Sequence, residues 1–289
     1  MPNPQMPRTL TFSLTLLAMI AFAGNSLLCR LALKDTGIDA ASFTSIRIAS
    51  GALALWLIVR LRGGARVTSG SWPSALALFA YAACFSFAYI SLPAATGALL
   101  LFGAVQATMI GYGLWTGERL RMRQSTGLFC ASAGLVGLML PGVSAPPLLS
   151  SLLMLSAGIA WGVYSLRGKG VPDPTGATMG NFLRAVPIAI AMSAIALPWV
   201  ALDRNGVCYA IASGALTSGV GYAIWYTALR GLKATSAAAV QLSVPVFAAI
   251  GGIAFLGEAI SLRLLIASTA ILGGIALVIV ESSAKPQLR

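Results

Sequence analysis

Histidine is absent from the 289 residues, and aspartate and glutamate together number only seven. Without histidine the chain lacks the commonest metal ligand and the commonest general base. Charged residues make up 9% of the chain, against about 25% in a soluble domain of average composition. A water-facing surface cannot be built from so little charge. One large buried core is no alternative, because the segments between turn signals are apolar all round and keep no polar face for water. Lipid is the remaining solvent.

Cysteine is scarce as well. Cys29, Cys84, Cys130 and Cys208 fall within or at the edge of apolar runs, without the paired spacing of a metal or redox site. Inert packing is the expected role, and no cofactor is implied. The seven acids are Asp35, Asp39, Glu118, Asp173, Asp203, Glu258 and Glu281, all at the ends of apolar runs or between them. Proton-coupled antiporters keep a titratable group at membrane depth. Its lack argues against carboxylate-driven antiport and for movement of solute down its own gradient.

What is present is apolar sequence in lengths that span a membrane: 58% of residues are hydrophobic. A span needs about 20 mostly apolar residues. Ten stretches qualify: Leu10–Cys29, Ala40–Val59, Trp72–Leu92, Ala94–Trp115, Gln124–Leu140, Leu148–Leu166, Ala177–Leu197, Val207–Leu229, Ala234–Leu256 and Leu264–Val280, the fifth and tenth being short. The stretch Leu10–Leu28 has no strongly basic leader and no convincing small-residue cleavage site, so it reads as a permanent first span rather than a signal peptide.

The net charge of +12 does not point to nucleic acid, because the basic residues stand singly between apolar runs. Sorting them among the loops gives orientation. With a cytoplasmic N-terminus, thirteen fall inside: Arg8, Arg60, Arg62, Arg66, Arg119, Arg121, Arg123, Arg167, Lys169, Arg230, Lys233, Lys285 and Arg289. Four fall outside (Arg30, Lys34, Arg204, Arg263), and Arg47 and Arg184 lie within spans. Both termini are therefore expected in the cytoplasm, with the protein in a bacterial inner membrane.

The chain also repeats itself at an offset drifting from 137 to 140 residues: Arg47 matches Arg184, Gly24 matches Gly162, Ala95-Thr96 matches Ala234-Thr235, Gly117-Glu118 matches Gly257-Glu258, and Arg123 matches Arg263. Matches in one order with a smooth offset indicate two five-helix units, residues 9–140 and 148–280. An odd number of spans inverts the second copy. Charge agrees: the loop at Glu118 carries Arg119, Arg121 and Arg123, while its counterpart at Glu258 keeps only Arg263. Inverted repeats are a recurring device of secondary transporters, which rock about a site near the bilayer midplane.

Phe22-Ala23-Gly24-Asn25 in the first span, Ala160-Trp161-Gly162 in the sixth, the second-helix arginines Arg47 and Arg184, and the two Gly-Glu pairs resemble the drug/metabolite transporter superfamily, specifically its ten-helix proteins with two EamA-type repeats. The resemblance covers nearly the whole chain. Within the superfamily the sequence is most similar to the YddG-type exporters of aromatic amino acids and related metabolites. The resemblance implies an all-α membrane protein in which ten helices, as two inverted five-helix repeats, surround a central cavity, with the fifth and tenth helices peripheral. The expected partners are a small-molecule substrate and the surrounding lipid bilayer, without nucleic acid, and the expected state is a monomer.

Candidate site residues follow from chemistry at membrane depth. Tyr81, Phe85 and Tyr89 recur every four residues and form one helical stripe. A buried tyrosine hydroxyl requires a partner, so Tyr81 and Phe85 are read as cavity lining or as packing, and Tyr89 as interfacial. Trp161 and Tyr164 sit beside Gly162, expected to admit a neighbouring backbone; Tyr222, Trp225 and Tyr226 cluster similarly. Aromatic walls suit flat ligands, and filling space between helices is the other reading. The amides Asn25, Gln106, Asn181 and Gln241 must face protein or water, either in bonds between helices or in contact with substrate. Arg47 and Arg184, at equivalent positions, are assigned a shared structural role, snorkelling or bonding loop carbonyls. Binding of phosphate would need several converging bases. Pro187 and Pro245 interrupt their spans and supply bends or a hinge.

A membrane-embedded enzyme would need a nucleophile with a base, or a metal cage, and neither pattern occurs. A channel would need a polar pore stripe or filter loop. The sequence reads as a secondary transporter exporting small amphipathic metabolites, foremost aromatic and other neutral amino acids. The alternatives are a broad-specificity drug/metabolite exporter and an exchanger of another substrate class.

Overall fold

In lipid each backbone N–H and C=O must be bonded within its own segment, which an α-helix does and an open strand does not. The computed structural model describes residues 7–63, 70–117, 122–140, 145–168, 171–229, 232 and 240–283, with side chains through 277, and among these every regular element is helical. Glu118, Arg66, Arg119, Arg121, Lys169, Arg230, Lys233, Ala234, Thr235, Lys285 and Arg289 lie outside the described residues, as does the side chain of Glu281.

The helices are α1 (Arg8–Asp35), α2 (Ala40–Leu61), α3 (Trp72–Tyr89), α4 (Ala94–Trp115), α5 (Met122–Met139), α6 (Leu148–Gly168) and α7 (Pro174–Ile195). They continue with α8 (Arg204–Leu229), α9 (Val244–Leu256) and α10 (Leu262–Ser283). Seven of them, α1 to α4 and α6 to α8, are long and apolar enough to cross a bilayer, and α9 and residues 262–277 of α10 are shorter apolar helices. The chain is a multi-pass membrane protein.

The acids that the sequence places between runs mark where helices begin. Asp39 Oδ1 accepts from Ser42 N–H at 2.9 Å, Asp173 Oδ1 from Gly176 N–H at 3.0 Å, and Asp203 Oδ2 from Gly206 N–H at 2.9 Å. Each satisfies a first-turn donor and places negative charge at the positive end of the helix dipole. These caps start α7 and α8 three residues earlier than hydropathy indicates. At the C-terminus of α9, Gly257 adopts φ +59°, and Gly117 after α4 adopts φ +95°. Only glycine enters this region without a Cβ penalty.

Packing brings α2 against α7, α5 against α10, α3 and α4 against α6, and α8 and α9 against α1. The expectations for Tyr89 and Gly162 need correction. Tyr89 is fully buried, its hydroxyl donating to the Ala94 carbonyl at 3.3 Å, because the chain turns back at 90–93 and α4 covers it. The ninth apolar run breaks at Leu242–Ser243, after helical residues 240–241, and Pro245 occupies the first turn of α9, where a missing N–H costs nothing. Gly162 admits the Thr108 side chain of α4 rather than a backbone, a Cβ there lying 2.8 Å from Thr108 Cβ.

Candidate functional site

The first and third helices of the chain meet α6 and α8 through rings. Trp161 of α6 is the hub, with centroid separations of 4.8 Å to Tyr81, 5.0 Å to Tyr222 and 5.4 Å to Tyr164. Phe22 completes the group, edge-on to Trp161, Tyr222 and Trp225, and Phe85 stacks beside Tyr81 at 5.3 Å. Between the rings is a cavity of about 20 Å³ bounded by Phe22, Asn25, Tyr81, Phe85, Trp161 and Tyr222, among others. A cavity of that size admits about one water. The rings are closed upon themselves, and a solute of amino-acid size enters only if they part.

Polar groups gather behind one wall. Asn25 donates from Nδ2 to the Tyr81 hydroxyl at 3.2 Å, and its Oδ1 accepts from Ser213 Oγ at 2.7 Å and Thr217 Oγ1 at 3.2 Å. Arg47 donates from Nη2 to the same Tyr81 oxygen at 3.0 Å and from Nε to Ser218 Oγ at 3.4 Å. Its guanidinium carbon lies 5.2 Å and 4.9 Å from the ring centroids of Tyr81 and Phe85. The three hydroxyls come from a π-helical stretch of α8, Ser213–Val220. Such stretches offset the residues that follow and recur at functional sites. Gly214, within it, lies against the Arg47 carbonyl and Ser50 Oγ so closely that a Cβ would collide with both.

The two ends of the bundle differ. At the end where α1 finishes, Arg30 Nε pairs with Glu258 Oε1 at 3.0 Å, and Arg30 Nη1 donates to the carbonyls of Tyr89 and Ile90 at 3.0 and 2.9 Å. Glu258 Oε2 accepts from Ala94 N–H at 2.7 Å, and Lys34 Nζ reaches the Leu256 carbonyl at 3.0 Å. This cluster ties α1, the α3–α4 turn and the end of α9 together. At the opposite end a cavity of about 230 Å³ lies between the starts of α3 and α7 and the ends of α6 and α8, edged by Ser71, Tyr164, Arg167, Asn181 and Tyr226. Tyr164 therefore belongs to both cavities' surroundings, with Asn181 Nδ2 donating to its hydroxyl at 3.4 Å. Asn181 Oδ1 accepts from Ser71 N–H at 2.9 Å, so this amide bonds helix to helix. A third cavity, an apolar groove of about 810 Å³ between α3 and α7, has Asp39 as its one charged rim group among the described residues.

Of the residues singled out from sequence, Asn25, Tyr81, Phe85, Trp161 and Tyr222 bound the central cavity, Tyr164 and Trp225 back it, and Gln106, buried, and Gln241, half-buried, are not on its wall. Arg47 and Arg184 do not share surroundings: Arg47 is in the aromatic core, whereas Arg184 Nη1 bonds the Gly180 carbonyl of its own helix at 2.9 Å. Ser213, Thr217, Ser218, Arg30 and Glu258 were not legible as a network. The available signal was three hydroxyls between glycines in an otherwise apolar span.

Residues 148–280 match the model of the EamA-like transporter family. An uncharacterized protein of Pseudomonas aeruginosa is 54% identical over 275 residues, covering 95% of this chain and 96% of its own. The chain belongs to the EamA-like transporter family. An uncharacterized transporter of Archaeoglobus fulgidus is 28% identical over 255 residues, with 83% of this chain and 87% of that protein covered. A protein of known crystal structure superposes with a TM-score of 0.65 at 18% identity over 96% of this chain and 100% of the other, a likeness in fold alone. As an EamA-like protein of the drug/metabolite transporter superfamily, the chain is a membrane transporter of small molecules in a lipid bilayer, and membership points to transport rather than catalysis.

Proposed function

We propose that the protein exports small amphipathic metabolites, foremost aromatic and other neutral amino acids, from the bacterial cytoplasm by alternating access down the substrate gradient. The carrying observation is a water-sized gap enclosed by Trp161, Tyr81, Tyr222, Phe22 and Phe85 and bordered by one amide, Asn25. Flat rings of this kind, once parted, offer faces for an aromatic solute. Tyr164, Trp225, Gln106 and Gln241 complete the proposed binding set as the helices move.

Two inverted five-helix repeats, 9–140 and 148–280, are the framework of this reading. Exchanging each helix for its counterpart turns α3–α6 packing into α8–α1, α4–α6 into α9–α1 and α3–α7 into α8–α2, and all six contacts exist. The contacts α2–α7 and α5–α10 map onto themselves. With both termini cytoplasmic, the Arg30–Glu258 end faces outward and is sealed, and the 230 Å³ cavity opens toward the cytoplasm. Substrate from the cytoplasm thus meets Tyr164 first and the Trp161 cluster next.

The test is reconstitution into liposomes with radiolabelled L-phenylalanine, L-tryptophan, L-leucine and L-glutamate. Saturable counterflow of the aromatic pair that is lost in Trp161→Ala and Tyr81→Ala supports the reading. Equal flux of all four, or variants with unchanged affinity and flux, refutes it.

A further inference from the structure

A guanidinium is the most expensive side chain to hold away from water without a counter-ion, because it cannot shed its charge. Arg47 is 2% exposed, lies about two turns inside α2, and has no carboxylate partner among the described residues. Among the described residues its polar partners are two neutral hydroxyls, those of Tyr81 and Ser218, and its Nη1 has no hydrogen-bond partner. Buried polar groups without partners are rare, and one on a permanent cation calls for an explanation. The rings of Tyr81 and Phe85 offset part of the cost through their π faces. They supply no negative charge.

Arg47 Nη2 and Asn25 Nδ2 both point at one oxygen, the Tyr81 hydroxyl, on the wall of the central cavity. Two donors, one of them cationic, converging on a single oxygen form a place fitted to an anionic oxygen. The phenol occupies it while the rings are closed. The unpartnered Nη1 beside Nη2 presents the forked edge by which arginine binds a carboxylate through two parallel bonds. Among the described residues no acid borders the cavity to receive an isolated cation.

We propose that Arg47, with Asn25, is the anion anchor of the transport site, and that the site therefore takes organic carboxylates carrying a flat ring. The inference rests on the aromatic-cavity reading above and narrows it: the carboxylate, not the amino group, is the required polar feature. On ring parting, the substrate carboxylate takes the place of the Tyr81 hydroxyl on Arg47 Nη1 and Nη2, and the substrate ring lies on Trp161. The polar network of Ser213, Thr217 and Ser218 keeps Asn25 and the Arg47 Nε oriented throughout.

Three probes of one shape isolate the charge: benzoate, benzyl alcohol and benzylamine. Their binding to the purified wild-type protein in nanodiscs is followed by tryptophan fluorescence and by competition with benzoate carrying a radiolabel. Benzoate is expected to bind at least about tenfold more tightly than either analogue, the scale on which one desolvated charge pair discriminates. Arg47→Gln should remove that preference, Arg47→Lys should retain part of it, and Asn25→Ala should weaken it. Equal binding of the three probes by the wild type, or no benzoate binding, overturns the proposal even if Arg47→Gln fails to fold. Benzoate selectivity that depends on Arg47 without any L-phenylalanine counterflow sustains the anchor and removes the amino-acid reading. L-phenylalanine counterflow with no preference among the three probes does the reverse.

Discussion

Arg30 at the end of α1 and Glu258 after α9 form an ion pair at 3.0 Å in which each side chain is only 11% exposed. Among the described residues, the further bonds of the pair run to backbone, to the carbonyls of Tyr89 and Ile90 and to the N–H of Ala94. Charge-assisted bonds shielded in this way contribute more than an exposed pair. Glu258→Gln is expected to lower stability by about 1–3 kcal/mol. It is also expected to raise thiol labelling of a cysteine at Ser26, on the cavity, from the outer face. Labelling that stays at the background of the unmutated pair shows that the pair is not a seal.

Gly214 supplies the second prediction. Because any Cβ there collides with the Arg47 carbonyl and Ser50 Oγ, Gly214→Ala must push the π-helical stretch of α8 away from α2. Overpacking of this kind costs about 1–3 kcal/mol. Thermal unfolding followed by size-exclusion elution should record a lower midpoint than Ala223→Gly, which removes a methyl in the same helix.

Asp39 gives a pH dependence with a definite sign. Burial raises its pKa, but the Ser42 side chain and the N–H groups of Ser42, Ala201 and Ala41 bond the ionised form and hold the carboxyl below its ordinary value. A folded pKa below the unfolded one means stability that is full above the unfolded pKa and lost as pH falls through the folded value. The bond to Ala201 ties α2 to the segment before α8. Wild type should lose stability relative to Asp39→Asn as pH is lowered below about 4, near the unfolded aspartate value. Parallel curves for the two proteins across that range contradict the assignment.

Topology is read by single cysteines at Ala145 and Asn205, between α5 and α6 and at the start of α8. With both termini cytoplasmic, each labels in intact cells with a membrane-impermeant maleimide. Labelling of either only after permeabilisation removes the ten-span arrangement.

Coupling follows from chemistry at membrane depth. A carrier that binds and releases a proton each cycle needs a group whose charge changes near working pH. The sequence has no histidine, and its acids cap helices or sit at their ends, as Asp39, Asp173, Asp203 and Glu258 do. Liposome flux should follow the substrate gradient alone, and an imposed pH gradient should drive no uphill accumulation.

Composition determined that this chain lives in lipid, and apolar run length determined where most helices lie, because the bilayer makes those demands locally and on every residue. The aromatic candidates Trp161, Tyr81 and Tyr222 were legible for a similar reason: each is a large ring with a polar edge in hydrocarbon. Helix starts were less so, since Asp173 and Asp203 act through single hydrogen bonds that hydropathy does not weigh. Tyr89 was misread because its covering comes from α4, five residues onward in sequence but in another helix. Only the tertiary structure decided that Arg47 enters the ring cluster while its counterpart Arg184 bonds its own helix. The two arginines stand at matching offsets in the sequence, and their neighbours are contributed by different helices. A charge in a membrane protein takes its role from what surrounds it, and that is set by packing across the chain rather than along it.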